Sequence, residues 1–175
     1  MTWITITFTL VLALAAVVAF AAIVGSRLPR SHVGSRERTF PVPPDEVWSA
    51  ITTIDAFPTW RSDVQKIERL PDRDGRPVLI ETGRAGRITL ATERMEPPRL
   101  LVLRIADPKL PFGGTWTYEI APETAGSRLT ITEHGEIYNP LFRFMARYIF
   151  GYTSTMDGYL SSLGRKFGQE VEFDS

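Results

Sequence analysis

The chain has 175 residues, with 20 Lys+Arg, 20 Asp+Glu and no cysteine. That length holds one ordinary domain plus a short appendage. The missing cysteines exclude a disulfide scaffold, a thiol nucleophile and any Cys-ligated metal centre, and a net charge of zero argues against a dedicated nucleic-acid binder.

The first 26 residues carry no charged side chain, and Leu10 to Val24 are all apolar. The threonines before that run (Thr2, Thr5, Thr7 and Thr9) can bond back to helical carbonyls, so lipid tolerates them. As a helix, such a segment reaches ~36 Å at ~1.5 Å per residue, enough for the ~30 Å hydrocarbon core. Trp3 stands where an interfacial aromatic belongs. A cleaved signal peptide is the rival reading, with Ala19-Phe20-Ala21 as its cleavage motif. It wants a basic residue ahead of the apolar stretch, and none is present. Residues 1–26 are therefore expected to be a retained transmembrane helix. Arg27, Arg30, Arg36 and Arg38 follow it, which by the positive-inside rule places the N-terminus outside and the remainder in the cytoplasm. Residues 27–35 read as a basic juxtamembrane linker, with His32 solvated in it. Zero net charge is thus a cancellation: residues 27–38 carry +3 and residues 39–175 carry −3.

Arg38 to Val42 reads as a short strand. Pro44 to Ile51 follows as a helix, with a proline and two acidic residues in its first turn, where the helix dipole favours them. Ile54, Phe57 and Trp60 mark a second short helix. After Trp60 the apolar period becomes two. Strands are expected at 64–70, 77–82, 87–95, 100–106, 115–120 and 128–137, separated by turn-forming runs such as Asp72-Arg73-Asp74-Gly75 and Pro111-Phe112-Gly113-Gly114. Short connections make the sheet antiparallel. Alternation sends Trp116, Tyr118 and Ile120 to one face, together with Ile88, Leu90, Leu101, Leu103, Ile105, Leu129 and Ile131. That apolar face needs a cover. From Asn139 a helix of roughly 28 residues supplies it, with Met145, Tyr148, Ile149, Tyr152, Met156, Tyr159, Leu160 and Leu163 at spacings of three and four. Gly151 and Gly158 lie inside it and predict a local bend. Residues 171–175 are read as a tail.

This element order resembles the START-like superfamily, which includes polyketide cyclase/dehydrase-like and Bet v 1-like proteins. The resemblance is carried by Pro43-Pro44-Asp45-Glu46-Val47-Trp48-Ser49-Ala50-Ile51, Phe57-Pro58-Thr59-Trp60, Glu96-Pro97-Pro98-Arg99-Leu100 and the amphipathic C-terminal helix. It covers about residues 36–170. It implies an α+β helix-grip fold: a curved seven-stranded antiparallel sheet around a long C-terminal helix, with an apolar cavity between them. Family members usually bind hydrophobic molecules, and a minority are enzymes. No cofactor is implied.

The expected ligand contacts are Leu90, Leu103, Trp116, Tyr118, Ile131, Glu133, Met145, Tyr148, Tyr152 and Met156. They combine apolar bodies with a few polar handles, as small-molecule pockets do. Glu133 continues the inward parity of Leu129 and Ile131, so a carboxyl is expected in the cavity, while His134 faces the other side. Arg94 shares parity with Ile88 and Leu90, but strand irregularity near Pro97 favours its exposure over an inward position. Arg143 and Arg147 fit the entrance end of the helix, with a solvated stripe. Two histidines far apart and no cysteine make a transition-metal site improbable, and no nucleophile elbow or phosphate loop occurs. A membrane-anchored binding or transfer module for a lipid, isoprenoid or polyketide-like molecule is the leading expectation. A cyclase/dehydratase-type enzyme using Glu133 with Tyr118, and an interaction module with a filled core, are the alternatives.

Overall fold

The computed structural model describes residues 3–84 and 86–170. The expected 171–175 tail, residues 1 and 2 of the apolar segment and Ala85 in the expected 83–86 turn lie outside the described residues. Helix α1 (Trp3–Arg27) is long and apolar enough to cross a membrane. Nearly all of its side chains are exposed, from Trp3 at its start to Ile23 near its end.

Strand β1 spans Ser31–Phe40. Helix α2 (Pro44–Thr52), a 3-10 turn (Ile54–Ala56) and a short α3 (Phe57–Trp60) follow. Six strands come next: β2 (Val64–Arg73), β3 (Arg76–Gly83), β4 (Gly86–Glu96), β5 (Leu100–Ile105), β6 (Phe112–Glu123) and β7 (Gly126–Ile137). They form one antiparallel sheet in the order β1-β7-β6-β5-β4-β3-β2. The chain ends in α4 (Pro140–Met145), a π-helical turn (Ala146–Phe150) and α5 (Ser154–Lys166). The helix-grip arrangement is the expected one.

Several boundaries differ from the sequence expectation. The linker does not extend to residue 35. Strand β1 begins at Ser31, and Ser31 to Phe40 pair without interruption with Glu136 to Ser127. β7 is twelve residues long, so its free edge offers partners for polar residues that carry no apolar pattern of their own. The C-terminal helix is also not continuous. Asn139 caps α4 as expected, its side chain accepting from Leu141 N at 2.9 Å and Phe142 N at 3.3 Å. The helix then widens into the π turn and stops at Gly151, whose φ of 75° lies in the region only glycine adopts freely. α5 alone is gripped by the sheet. Phe112, expected in a turn, opens β6 and pairs with Ile137.

The core sits where α2 and α5 meet β1, β6 and β7. Phe40, Val47, Leu129, Ile131, Met156 and Leu163 are essentially solvent-free there. A second cluster of Ile54, Phe57, Val64 and Leu79 closes the far edge of the sheet. Between them the apolar face is left uncovered, which creates the site.

Candidate functional site

A cavity of about 510 Å³ lies between the apolar sheet face and α5, within the range of small-molecule sites. Its walls are mostly apolar. Leu90, Leu101, Leu103 and Ile105 come from the central strands, Ile51 and Ile54 from the segment after β1, and Trp116 and Tyr118 from β6. The period-two reading of the strands therefore located the wall correctly.

One side of the cavity is closed by a buried ionic cluster. Arg61 follows α3 and its side chain is only 9% exposed. Its guanidinium donates to both Glu81 carboxylate oxygens at 2.8 Å and to Asp63 at 2.7 Å and 3.4 Å. It also lies over the Phe57 ring (5.3 Å) and the Tyr159 ring (5.0 Å). Burial disfavours its charge, but the Asp63 hydrogen bonds and the nearby Glu81 carboxylate outweigh that and hold it protonated. Asp63 is held below the usual carboxylate range: its hydrogen bonds from Arg61 overcome a partial burial that acts the other way. Tyr118 and Tyr159 pack beside this cluster with ring centroids 5.6 Å apart and planes tilted by 56°, and burial pushes both hydroxyl pKa values up. Sequence reasoning passed over Arg61, Asp63 and Glu81. Their association depends on the β2–β3 pairing that sets Val64 against Gly83.

The opposite side carries a different set. His32, expected to be solvated, is instead 12% exposed and stacks on Tyr152 with ring centroids 4.2 Å apart. Gly135 makes room for it, because a Cβ there would overlap the imidazole. Burial lowers the His32 pKa below its ordinary value. Glu133 faces the cavity as parity predicted; its Oε1 is 3.9 Å from His32 Nε2, too far for a direct hydrogen bond. Burial raises the Glu133 pKa, and the Trp116 side chain acts in the opposite sense. His134 is exposed on the outer face.

This second side is incomplete as a wall. Phe142, Phe150 and Gly151 line the cavity and are exposed as well. Tyr148 and Ile149 add exposed apolar surface next to them. The patch stands at the foot of α1. Arg143 is buried there and donates from Nη1 to the Leu28 carbonyl at 2.8 Å. A Cβ at Gly25 would overlap the Pro140 carbonyl, so the helices touch through backbone. The solvated stripe expected at this end holds for the exposed Arg147, over Tyr148, and fails for Arg143.

Of the ten expected contacts, Leu90, Leu103, Trp116, Tyr118, Glu133 and Tyr152 line the cavity. Ile131 and Met156 are packed into the core beside it. Met145 and Tyr148 fall outside, because the π turn and the break at Gly151 rotate α4 away from α5; Tyr148 is largely exposed. Arg94 also points outward. A register irregularity between Thr92 and Arg94 keeps Thr92 inside and sends Arg94 to solvent, where it pairs with Glu96. Thr92 keeps the parity of Ile88 and Leu90 and lines the cavity with them.

The family model described as "Polyketide cyclase / dehydrase and lipid transport" matches residues 31–166. No curated protein sequence matches the chain. Among solved structures, a START superfamily protein from Mycobacterium smegmatis aligns with a TM-score of 0.64 at 15% identity, over 78% of this chain and 97% of that one. A Thalictrum norcoclaurine synthase point mutant bound to a transition-state analogue aligns with a TM-score of 0.61 at 11% identity, over 78% and 94%. The di-domain ARO/CYC StfQ of the steffimycin biosynthetic pathway aligns with a TM-score of 0.61 at 13% identity. The alignment covers 79% of this chain but spans about half of StfQ, 50% of its length. Identities this low establish a shared fold.

Proposed function

The chain belongs to the polyketide cyclase / dehydrase and lipid-transport family, and from that premise we propose that it is a membrane-anchored module that binds or transfers a hydrophobic small molecule. The observation that carries this reading is the cavity of about 510 Å³, walled by leucine, isoleucine and aromatic side chains. Burying apolar ligand surface there yields roughly 25 cal/mol per Å². Helix α1 is the anchor, with its N-terminus outside and the domain in the cytoplasm, as the flanking arginines direct. Because α4 is seated on the end of α1, the exposed rim of Phe142, Tyr148, Ile149 and Phe150 lies at the headgroup level, where aromatic residues are favoured. A guest enters from the bilayer, where it already resides.

The test uses the full chain purified in lipid nanodiscs, with bound molecules extracted and identified by mass spectrometry. One apolar species should be enriched over the surrounding lipid. Leu103→Trp fills the cavity and should abolish that enrichment while the domain stays folded. Equal recovery from both proteins would overturn the reading.

A proton-transfer enzyme is the second reading. It is favoured by Glu133 and Tyr118 lining one cavity, with the Glu133 pKa raised by burial. An interaction module with a filled core has less support, because the core is not filled.

A further inference from the structure

The cavity has ionisable walls, and their balance bears on which guest it takes. Its arginines are Arg61 and Arg69; its carboxyl groups are Asp63, Glu81, Glu133 and Glu136. Arg61 is committed, and Arg69 stands at the exposed rim with a carboxylate partner of its own. Four of the five Arg61 N–H groups are used on Asp63 and Glu81, so the cation is outnumbered by its own partners. Arg69 is held by Asp55, with Nη2 to Oδ2 at 2.7 Å and Nε to Oδ1 at 3.4 Å. Among the described residues, no uncommitted cation lines the cavity. His32 is the remaining nitrogen base, and its burial and its stacking on Tyr152 favour the neutral ring.

A carboxylate, sulfate or phosphate head entering this space would lose its hydration. It would meet carboxyl groups and arginines already occupied. Burying an unpaired charge in an apolar site is the costliest form of desolvation. An uncharged hydroxyl head meets a different environment. Glu133 stands in the wall with only 17% of its side chain exposed, and among the described residues no arginine or lysine pairs with it. It offers a hydrogen-bond partner without demanding an ion. The 3.9 Å gap leaves Glu133 and His32 unbonded to each other, so each can turn to a guest, with the Trp116 side chain as the other partner of Glu133.

We propose that this cavity selects an uncharged amphipath whose hydroxyl head hydrogen-bonds to Glu133 beside His32, and that it rejects anionic amphipaths. This deepens the ligand-binding reading above and rests on it.

The test uses the full chain in phosphatidylcholine nanodiscs with two photoreactive probes of identical chain, a long-chain diazirine alcohol and its alkyl sulfate. The sulfate is ionised at every working pH, and both probes concentrate in the bilayer. The readout is the probe concentration giving half-maximal labelling of peptides that carry cavity liners, identified by mass spectrometry. The alcohol should label at a concentration at least about tenfold lower than the sulfate, the ratio that one lost charge-assisted contact typically produces. Glu133→Leu should weaken alcohol labelling several-fold without weakening sulfate labelling. Glu81→Gln, which leaves Arg61 partly uncompensated, should narrow the gap by strengthening sulfate labelling. Sulfate labelling equal to or stronger than that of the alcohol overturns the selectivity while leaving the binding reading intact, as does an unchanged alcohol response in Glu133→Leu. Labelling by neither probe overturns both.

Discussion

The two sides of the cavity solve the same problem differently. On the closed side, Arg61 ties α3 to β3 through a buried guanidinium that touches two carboxylates and two aromatic rings. On the open side, His32, Tyr152 and Glu133 meet through one stacking contact and a gap, beneath a π turn that ends at a glycine. The first arrangement is over-determined: neither Arg61 nor Glu81 can move without stranding a buried charge. The second is under-determined and can part without such a loss. Rigidity on one side and looseness on the other is what a container with an entrance needs.

The largest expected effect tests the closed side. Arg61→Leu leaves Glu81 and Asp63 without their cation against Phe57 and Tyr159. Removing one partner of a buried ion pair typically costs about 3–5 kcal/mol. Urea unfolding of the domain followed by tryptophan fluorescence should show a loss of that size. Arg61→Lys should recover only part of it, since an ammonium cannot serve two carboxylates with a planar fork. A loss below about 1 kcal/mol would show that the cluster is peripheral to the fold.

Gly151→Ala probes the open side. Among the described residues no atom lies within 4 Å of the added methyl, so the cost is backbone strain at φ 75°, about 1 kcal/mol. The distinctive readout is where the cost falls. Hydrogen exchange should accelerate across α4 and the π turn and stay unchanged in β6 and β7. A global acceleration would mean that the two sides unfold as one unit.

A third effect is smaller and appears as a slope. Burial raises the Glu133 pKa above its ordinary value of 4.5, so the folded state binds that proton more tightly. Its contribution to stability is complete below that ordinary value and is lost as pH rises through the folded one. His32 runs the other way. Its folded pKa lies below 6.5, so stability is complete above 6.5 and declines as pH falls through it. Glu133→Gln should therefore leave a stability that increases with pH around 6.5, and His32→Gln one that decreases as pH rises above 4.5. Parallel slopes in the two variants would place neither group in the buried wall.

The two sides were also unequally legible in the sequence. Strand alternation is a property of neighbouring residues, so Leu101, Leu103, Trp116, Tyr118 and Glu133 could be assigned to the inner face without knowing the fold. Arg61 could not. It follows a short helix as an ordinary surface arginine would, and Glu81 is twenty positions away on another strand. His32 looked like linker because β1 has no apolar alternation; it is ordered by the edge of β7. Periodicity ran straight through Gly151, since the break leaves Tyr152 and Met156 still facing inward while Tyr148 turns out. Arg94 has inward parity and is exposed, as the irregular sequence near Pro97 favours, but alternation does not place the responsible register shift between Thr92 and Arg94. Long-range pairing and one-residue irregularities are the information that a local reading lacks.

The smallest effect isolates burial from chemistry. Arg69 and Asp55 make the same kind of contact as Arg61 and Asp63, with the same 2.7 Å separation. Arg69 also lines the cavity. What differs is water: the two side chains are 59% and 65% exposed, against 9% for Arg61. The hydrogen bond from Arg69 lowers the Asp55 pKa, yet solvent screens the pair, and the energy gained on forming it is nearly matched by the hydration given up. Asp55→Asn should leave the unfolding midpoint unchanged within error at physiological salt, and raising the salt should move the two proteins together. If Asp55→Asn instead destabilised the domain as much as Arg61→Leu, burial could not be the cause of the difference between the pairs. The Arg61 cluster would then owe its importance to position along the chain, and the contrast between a rigid and a loose side of the cavity would have to rest on packing alone.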